Sequence, residues 1–169
     1  QKSPRDNAYK FELAMAYAYS GRVQEGWNML KSIPPEYAQT VVDKYQAVVQ
    51  EAPDNWKAHF KLAFGYYFDK KAELARDHFL TVLKIDPKNV WAMSYIALLE
   101  GKSKDANPDL VIHWCEKALS IEPDLTATYL LLAEAQRQKG HYFASVKSFV
   151  KLGRLKSEEN KLSDGKIYQ

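Results

Sequence analysis

Cysteine is almost missing from this sequence: Cys115 is the single one in 169 residues. An internal disulfide is therefore excluded, and cysteine usage leaves the compartment open. Long apolar runs are missing too. Nothing approaches the roughly 20 apolar residues that span a bilayer, so no membrane span is expected in this chain and it reads as soluble. Charge of one sign is also scarce. A net charge of +3 demands neither a polyanionic partner nor an acidic substrate. Gly-rich phosphate loops, nucleophile elbows and helical His pairs are absent as well. The four histidines, His59, His78, His113 and His141, fall in different segments. His113 and Cys115 are two apart, so on a helix they point to different faces and cannot chelate one ion together. Carboxylates such as Asp69, Glu73, Asp77 and Glu116 read as solvated charge on outward helices. The expectation is no enzyme, no cofactor and no metal.

What is present is a repeating unit. From Asn55 to Asn89 the chain reads as two short helices joined by a tight turn. Leu62, Ala63 and Tyr66 recur at helical spacing in the first half, and Ala75, Phe79 and Val82 in the second. Asp69-Lys70-Lys71 supplies the polar break, and Pro87 closes the unit because proline cannot continue a helix. Ile96-Ala97 lies 34 residues after Leu62-Ala63, and Leu132-Ala133 a further 36 on; Pro123 follows Pro87 by the same 36. Self-similarity at this period marks stacked helical hairpins.

These residues resemble the tetratricopeptide repeat family. Its pattern sets a large residue, Leu-Gly/Ala, Tyr, Ala, Phe/Tyr, Ala and Pro at fixed offsets. In the second unit these are Leu62, Ala63, Tyr66, Ala75, Phe79, Val82 and Pro87. In the third they are Met93, Ile96, Ala97, Val111, Cys115, Ala118 and Pro123. In the fourth they are Tyr129, Leu132, Ala133, Gly140, Tyr142, Ser145, Phe149 and Leu152. The resemblance implies an all-α, right-handed superhelical array of antiparallel helix hairpins, a TPR-like α-solenoid, with Cys115 at an inward position.

In chain order, the expected organisation is a degenerate first repeat plus an extra helix (1–53), three repeats (54–89, 90–125 and 126–157), and a polar tail or weak cap (158–169). After a polar leader, Gln1 to Asp6, Asn7 is a candidate cap for a helix to about Tyr19. Gly21 then makes the turn, and Gly26, Leu30 and Ile33 face inward from a second helix. Pro34-Pro35 stops it. Glu36 to Glu51 then reads as a separate helix packed obliquely on the first repeat, because Leu13 to Leu62 is 49 residues rather than 34. The turn GKSKDANPD in the third repeat is two residues longer than the family's, with Asn107-Pro108 as a start signal, and reads as a surface insertion. The last helix is expected from about Tyr142 to Leu155. Beyond it, either a short helix carrying Leu162, Ile167 and Tyr168 covers the last hairpin or the protein continues past Gln169. Gln1 in place of Met fits removal of a signal peptide or an anchor, so the compartment is cytoplasmic or extracytoplasmic.

The resemblance further implies that first-helix positions line a concave groove. Those are Lys57, Phe60, Lys61, Phe64, Tyr67 and Phe68 in the second repeat; Trp91, Ser94, Tyr95, Leu98, Gly101 and Lys102 in the third; and Ala127, Leu130, Leu131, Glu134, Arg137 and Gln138 in the fourth. Some family members grip a C-terminal carboxylate of heat-shock chaperones with Lys and Asn there. Here the places hold Phe11, Met15, Lys61, Trp91 and Tyr95, so that clamp is not built. Lys57, Lys61 and Arg137 alternate with Glu12 and Glu134, which disfavours nucleic acid.

Two readings follow. In one, the aromatic groove accepts an apolar or aromatic segment of a partner protein, with Lys57, Phe60, Lys61, Phe64, Tyr67, Phe68, Trp91, Tyr95, Leu98 and Arg137 as contacts. In the other, the wall is covered by the protein itself or a second copy. The chain is then a self-associating scaffold, or an accessory subunit of a membrane-associated assembly complex.

Overall fold

Proline and polar turn signals break the chain into short helices, and the computed structural model realises them without any strand among the described residues. It describes the backbone of residues 4–19 and 23–165, and side chains of 5–19, 25, 26 and 28–160. Gln1 to Ser3 of the expected leader, the Gly21 turn, the Leu162 side chain, Ile167 and Tyr168 lie outside this set. The helices are α1 (Pro4–Tyr19), α2 (Val23–Lys31), α3 (Tyr37–Glu51), α4 (Trp56–Phe68), α5 (Ala72–Ile85), α6 (Val90–Lys102), α7 (Pro108–Ile121), α8 (Thr126–Gln138) and α9 (Tyr142–Gly165). Neighbours in sequence pack together as α1 with α2, α3 with α4, α4 with α5, α7 with α8, and α8 with α9, in two units, Gln1–Ala92 and Met93–Gln169, the division falling inside α6.

Local chemistry sets most helix ends. The Asn55 side chain accepts from the Ala58 N–H at 3.1 Å, Asn89 from Ala92 at 3.0 Å, and Asn107 from Asp109 at 3.0 Å. Each satisfies a donor that the first helical turn leaves unpaired. Between α4 and α5, Lys70 takes a left-handed conformation (φ 59°), and Gly140 does so between α8 and α9 (φ 77°). The bonds Lys71 N–H to Tyr66 O (2.9 Å) and His141 N–H to Gln136 O (2.8 Å) close the two turns alike.

Three expected boundaries differ. Asn7 does not cap α1: the helix already starts at Pro4, whose fixed φ suits a first turn, and Asn7 is buried inside it. α2 ends at Lys31, before Ile33, so the break precedes the two prolines. α9 runs ten residues beyond Leu155, because KSEENKLSDG carries no proline to stop it and its two Lys, two Glu and one Leu are good helix formers.

The first unit is built on α4. The extra helix α3 is separate, as expected, but it packs chiefly on α4 of the second repeat rather than on the first repeat, because Gly65 leaves room there. A Cβ at Gly65 would stand 3.0 Å from Val41 Cγ1, 3.1 Å from Val42 Cγ2 and 3.3 Å from the Val42 nitrogen. Gly26 plays the same part between α2 and α1, where a Cβ would meet Ala14 O at 3.0 Å. In the second unit, Ala97, Val111, Cys115, Leu132 and Ala135 form one buried cluster under Ile112, Trp114, Leu119 and Leu131.

Gly65 and Gly153 separate packing from propensity. Gly65→Ala is expected to lower unfolding free energy by about 1–3 kcal/mol through overpacking. At Gly153 a Cβ would meet nothing within 4 Å. Gly153→Ala should therefore raise stability by about 0.5–1 kcal/mol through helix propensity. Denaturant titration of both variants checks the pair; equal effects would refute the close α3–α4 contact.

Candidate functional site

α4 is apolar nearly all round, and each arc of it meets a different neighbour. Phe60 and Phe64, one turn apart, pack edge-on against Phe79 of α5 with centroids 5.2 and 5.6 Å away. Tyr19 of α1 lies 4.9 Å from Phe60 and stands edge-on to Trp56 at 5.8 Å. Such aromatic pairs contribute roughly 0.5–1.5 kcal/mol each beyond the area they bury. The consequence for the groove is direct. Phe60 and Phe64 are 0% and 1% exposed, so they are core residues and do not face solvent. Sequence periodicity places them on the α4 face next to α1 but does not reveal that Phe79 packs on both and Tyr19 on Phe60.

Toward both ends of α4 the cover thins. Tyr67 and Phe68 are half-buried, with rings edge-on at 5.8 Å, and Lys57 is exposed, its ammonium 5.7 Å from the Trp56 ring centroid. Trp91, also half-buried, is the second residue of α6. Lys61 is taken up internally. It pairs with Glu12 of α1 at 2.5 Å and lies 5.3 Å from the Tyr45 ring. The Tyr45 hydroxyl donates to the same Glu12 carboxylate, and Lys44 stands 3.6 Å from it. Burial pushes the Glu12 carboxyl up, but bonding to Lys61 and Tyr45 and the charge of Lys44 outweigh it, so Glu12 titrates below its usual range. Burial and then the Glu12 carboxylate push Tyr45 the other way, upward. The cluster ties α1, α3 and α4 together, and nothing in the residue spacing announces it.

In the second unit Tyr95 is 9% exposed, Leu98 is half-buried and Arg137 is exposed. Arg137 pairs with Glu134 one helical turn back, at 2.5 Å, and each favours the other's charged form. Ser94 and Thr128 hydroxyls share a 2.8 Å hydrogen bond between α6 and α8. Leu130 is exposed, whereas Leu131 is half-buried.

Two histidines expected to be apart meet across the α4–α5 hairpin. His59 Nδ1 lies 2.9 Å from His78 Nδ1, and His59 Nε2 lies 3.0 Å from the Pro53 carbonyl. A carbonyl only accepts, so Nε2 of neutral His59 carries the proton, its Nδ1 accepts, and His78 Nδ1–H donates. The signal in the sequence that points to this pair is that both histidines lie on one hairpin, His59 ten residues before the Asp69–Lys71 turn and His78 seven after it. No third metal ligand joins them among the described residues. His113 is exposed and Cys115 fully buried, on different faces as the spacing implies. Burial, with a smaller contribution from Glu116, pushes the Cys115 thiol up to about 12, which makes it a poor nucleophile.

No family model and no curated protein matches this sequence. Solved structures do match. One crystal structure of MamA aligns with 94% of this chain and 83% of its own, at TM-score 0.66 and 17% identity. A MamA structure labelled MSR-1 aligns with 90% of this chain and 98% of its own, at 0.59 and 20%. Another MamA crystal structure covers 94% and 96%, at 0.62 and 15%. At such identities the likeness establishes the fold, an all-α array of helix hairpins.

Two measurements probe this chemistry. Burial, then the neighbouring His59, holds His78 below its ordinary 6.5, with Asp77 acting weakly the other way. The unfolded chain therefore takes up this proton first as pH falls. The stabilising contribution is complete above the unfolded value of about 6.5 and is lost below it. Thermal midpoints between about pH 7.5 and 5.5 should fall more steeply for the wild type than for His78→Gln; parallel profiles would refute the neutral pair. Cys115 should react with thiol reagents only after unfolding, and rapid native labelling would contradict its place in the core.

Proposed function

We propose that the chain is a tetratricopeptide-type interaction module that holds an apolar or aromatic segment of another protein. The observation that carries this reading is the uneven cover of α4, closed over Phe60 and Phe64 but open at Lys57, Tyr67 and Phe68. With Trp91 at the start of α6, these residues make a contact set narrower than the full aromatic wall. Rings already held by neighbours lose little freedom on binding, which favours a preformed surface. The likeness to MamA structures supports the helical-array fold on which the reading stands. The second reading, a self-associating scaffold, draws on the same half-covered rings.

The double variant Tyr67→Ala/Phe68→Ala separates the outcomes. It should cost the fold far less than Phe60→Ala or Phe64→Ala, each expected to lose about 3–5 kcal/mol as an aromatic cavity. It should also weaken capture of a partner, identified with wild-type bait, by about 2 kcal/mol or more, the hot-spot range. If wild-type protein sediments as an oligomer that the double variant dissociates, the scaffold reading replaces the partner reading. A stability loss equal to that of Phe60→Ala would retire both.

A further inference from the structure

We infer that the outward face of α9 is a second docking surface, and that its occupant is an amphipathic helix with an acidic edge supplied by a partner protein. The inference is independent of the α4 surface. α9 is held to α8 by Ser145, Ser148, Leu152 and Leu155, all buried. Ser145 Oγ donates to the Ala133 carbonyl at 2.8 Å and Ser148 Oγ to Gln136 Oε1 at 2.9 Å. At roughly 100° per residue, the arc opposite those four carries Phe143, Val146, Val150, Gly153 and Ser157. Tyr142 and Phe149 flank it. Phe143 is 88% exposed, Tyr142 69% and Val146 59%. The helix therefore turns two serines toward its neighbour and its aromatics and valines toward water. A contiguous apolar patch of this kind marks an interaction site.

Three observations identify the occupant. α8 is packed by α7 on one side and α9 on the other, whereas no helix covers the outward face of α9 among the described residues. A helix is what this architecture stacks on such a face. The face also alternates a ridge at Phe143, Val146 and Val150 with a notch at Gly153, where open space would admit a side chain from a crossing helix. Finally, its borders are predominantly cationic, with Glu158, one turn beyond Arg154, as an exposed carboxylate among them. Lys147 and Arg154 lie two turns apart along one border and Lys156 on the other, all exposed and without an ion pair among the described residues. Lys151 is already paired with Asp124 at 3.3 Å. A carboxylate-edged helix complements this arrangement, and complementary charge sets orientation and partner choice.

The test uses the full chain and a labelled synthetic amphipathic helix with Leu on one face and Glu along one edge. A counterpart carries Lys in place of Glu. Fluorescence anisotropy should show the Glu-edged helix bound at least about tenfold more tightly than the Lys-edged one. Val150→Asp should abolish binding, with circular dichroism confirming that the variant is folded. Lys147→Glu/Arg154→Glu should invert the preference. Failure of both helices to bind, binding unchanged in Val150→Asp, or a preference unmoved by charge reversal would each overturn the proposal. It would also be overturned if Val150→Asp abolished only adsorption to phosphatidylserine-containing vesicles, which would assign the face to a lipid surface. Concentration-dependent self-association lost in Val150→Asp, without peptide binding, would assign it to a second copy.

Discussion

The first unit depends on one constraint: α4 is too apolar to be satisfied by a single partner helix. A helix in an ordinary hairpin buries one stripe and wets the other. α4 buries an unbroken run from Ala58 to Tyr66 apart from Lys61, and even Lys61 is drawn into an ion pair. Its neighbours are therefore fixed by what each arc needs. Phe60 and Phe64 need the Phe79 ring on α5, Gly65 needs two valines at close range on α3, and the Tyr19 ring closes the arc left beside Trp56. The extra helix is in this sense required by the arc of α4 that α5 and α1 leave uncovered.

Polar groups then decide which of several apolar packings is adopted. The Glu12 carboxylate can accept from Tyr45 and Lys61 together only when α1, α3 and α4 meet in this register. Its side chain is partly open to water, so the cluster adds specificity more than stability. The histidine pair acts similarly within the hairpin. His59 is committed to one tautomer by the Pro53 carbonyl, and the Nδ1 atoms can approach only while at least one of them is unprotonated.

Much of this fold was legible because it is written in periodicity. Leu62, Ala63, Ile96, Ala97, Leu132 and Ala133 repeat at nearly constant spacing, and all six are buried. Cys115 and Val111, assigned inward from the same pattern, sit in the same cluster. Gly26, inward by the same reading, lies where α1 approaches α2 too closely to admit a Cβ. Periodicity failed where a contact joins residues with no common period. The groove residues illustrate this best. Position alone grouped Phe60 and Phe64 with Tyr67 and Phe68, but whether a ring is covered depends on Tyr19, some 40 residues away in sequence, and on how far α5 overlaps α4.

The end of α9 exposes a related limit. Composition marks the tail beyond Leu155 as polar but says nothing of which face the helix before it turns inward. Helical phase decides that. In α9 the positions that pack on α8 hold Ser145, Ser148, Leu152 and Leu155, while Phe143, Val146 and Val150 fall on the opposite arc. A helix with apolar residues on both arcs shows only a weak amphipathic signal, so its outer face is invisible until the inner one is known. α4 and α9 thus pose the same physical problem. α4 is covered by its own chain from Ala58 to Tyr66, whereas α9 presents to solvent the type of surface that α3 and α5 cover on α4. That contrast, within one molecule, is the strongest argument that the α9 face is built for another helix.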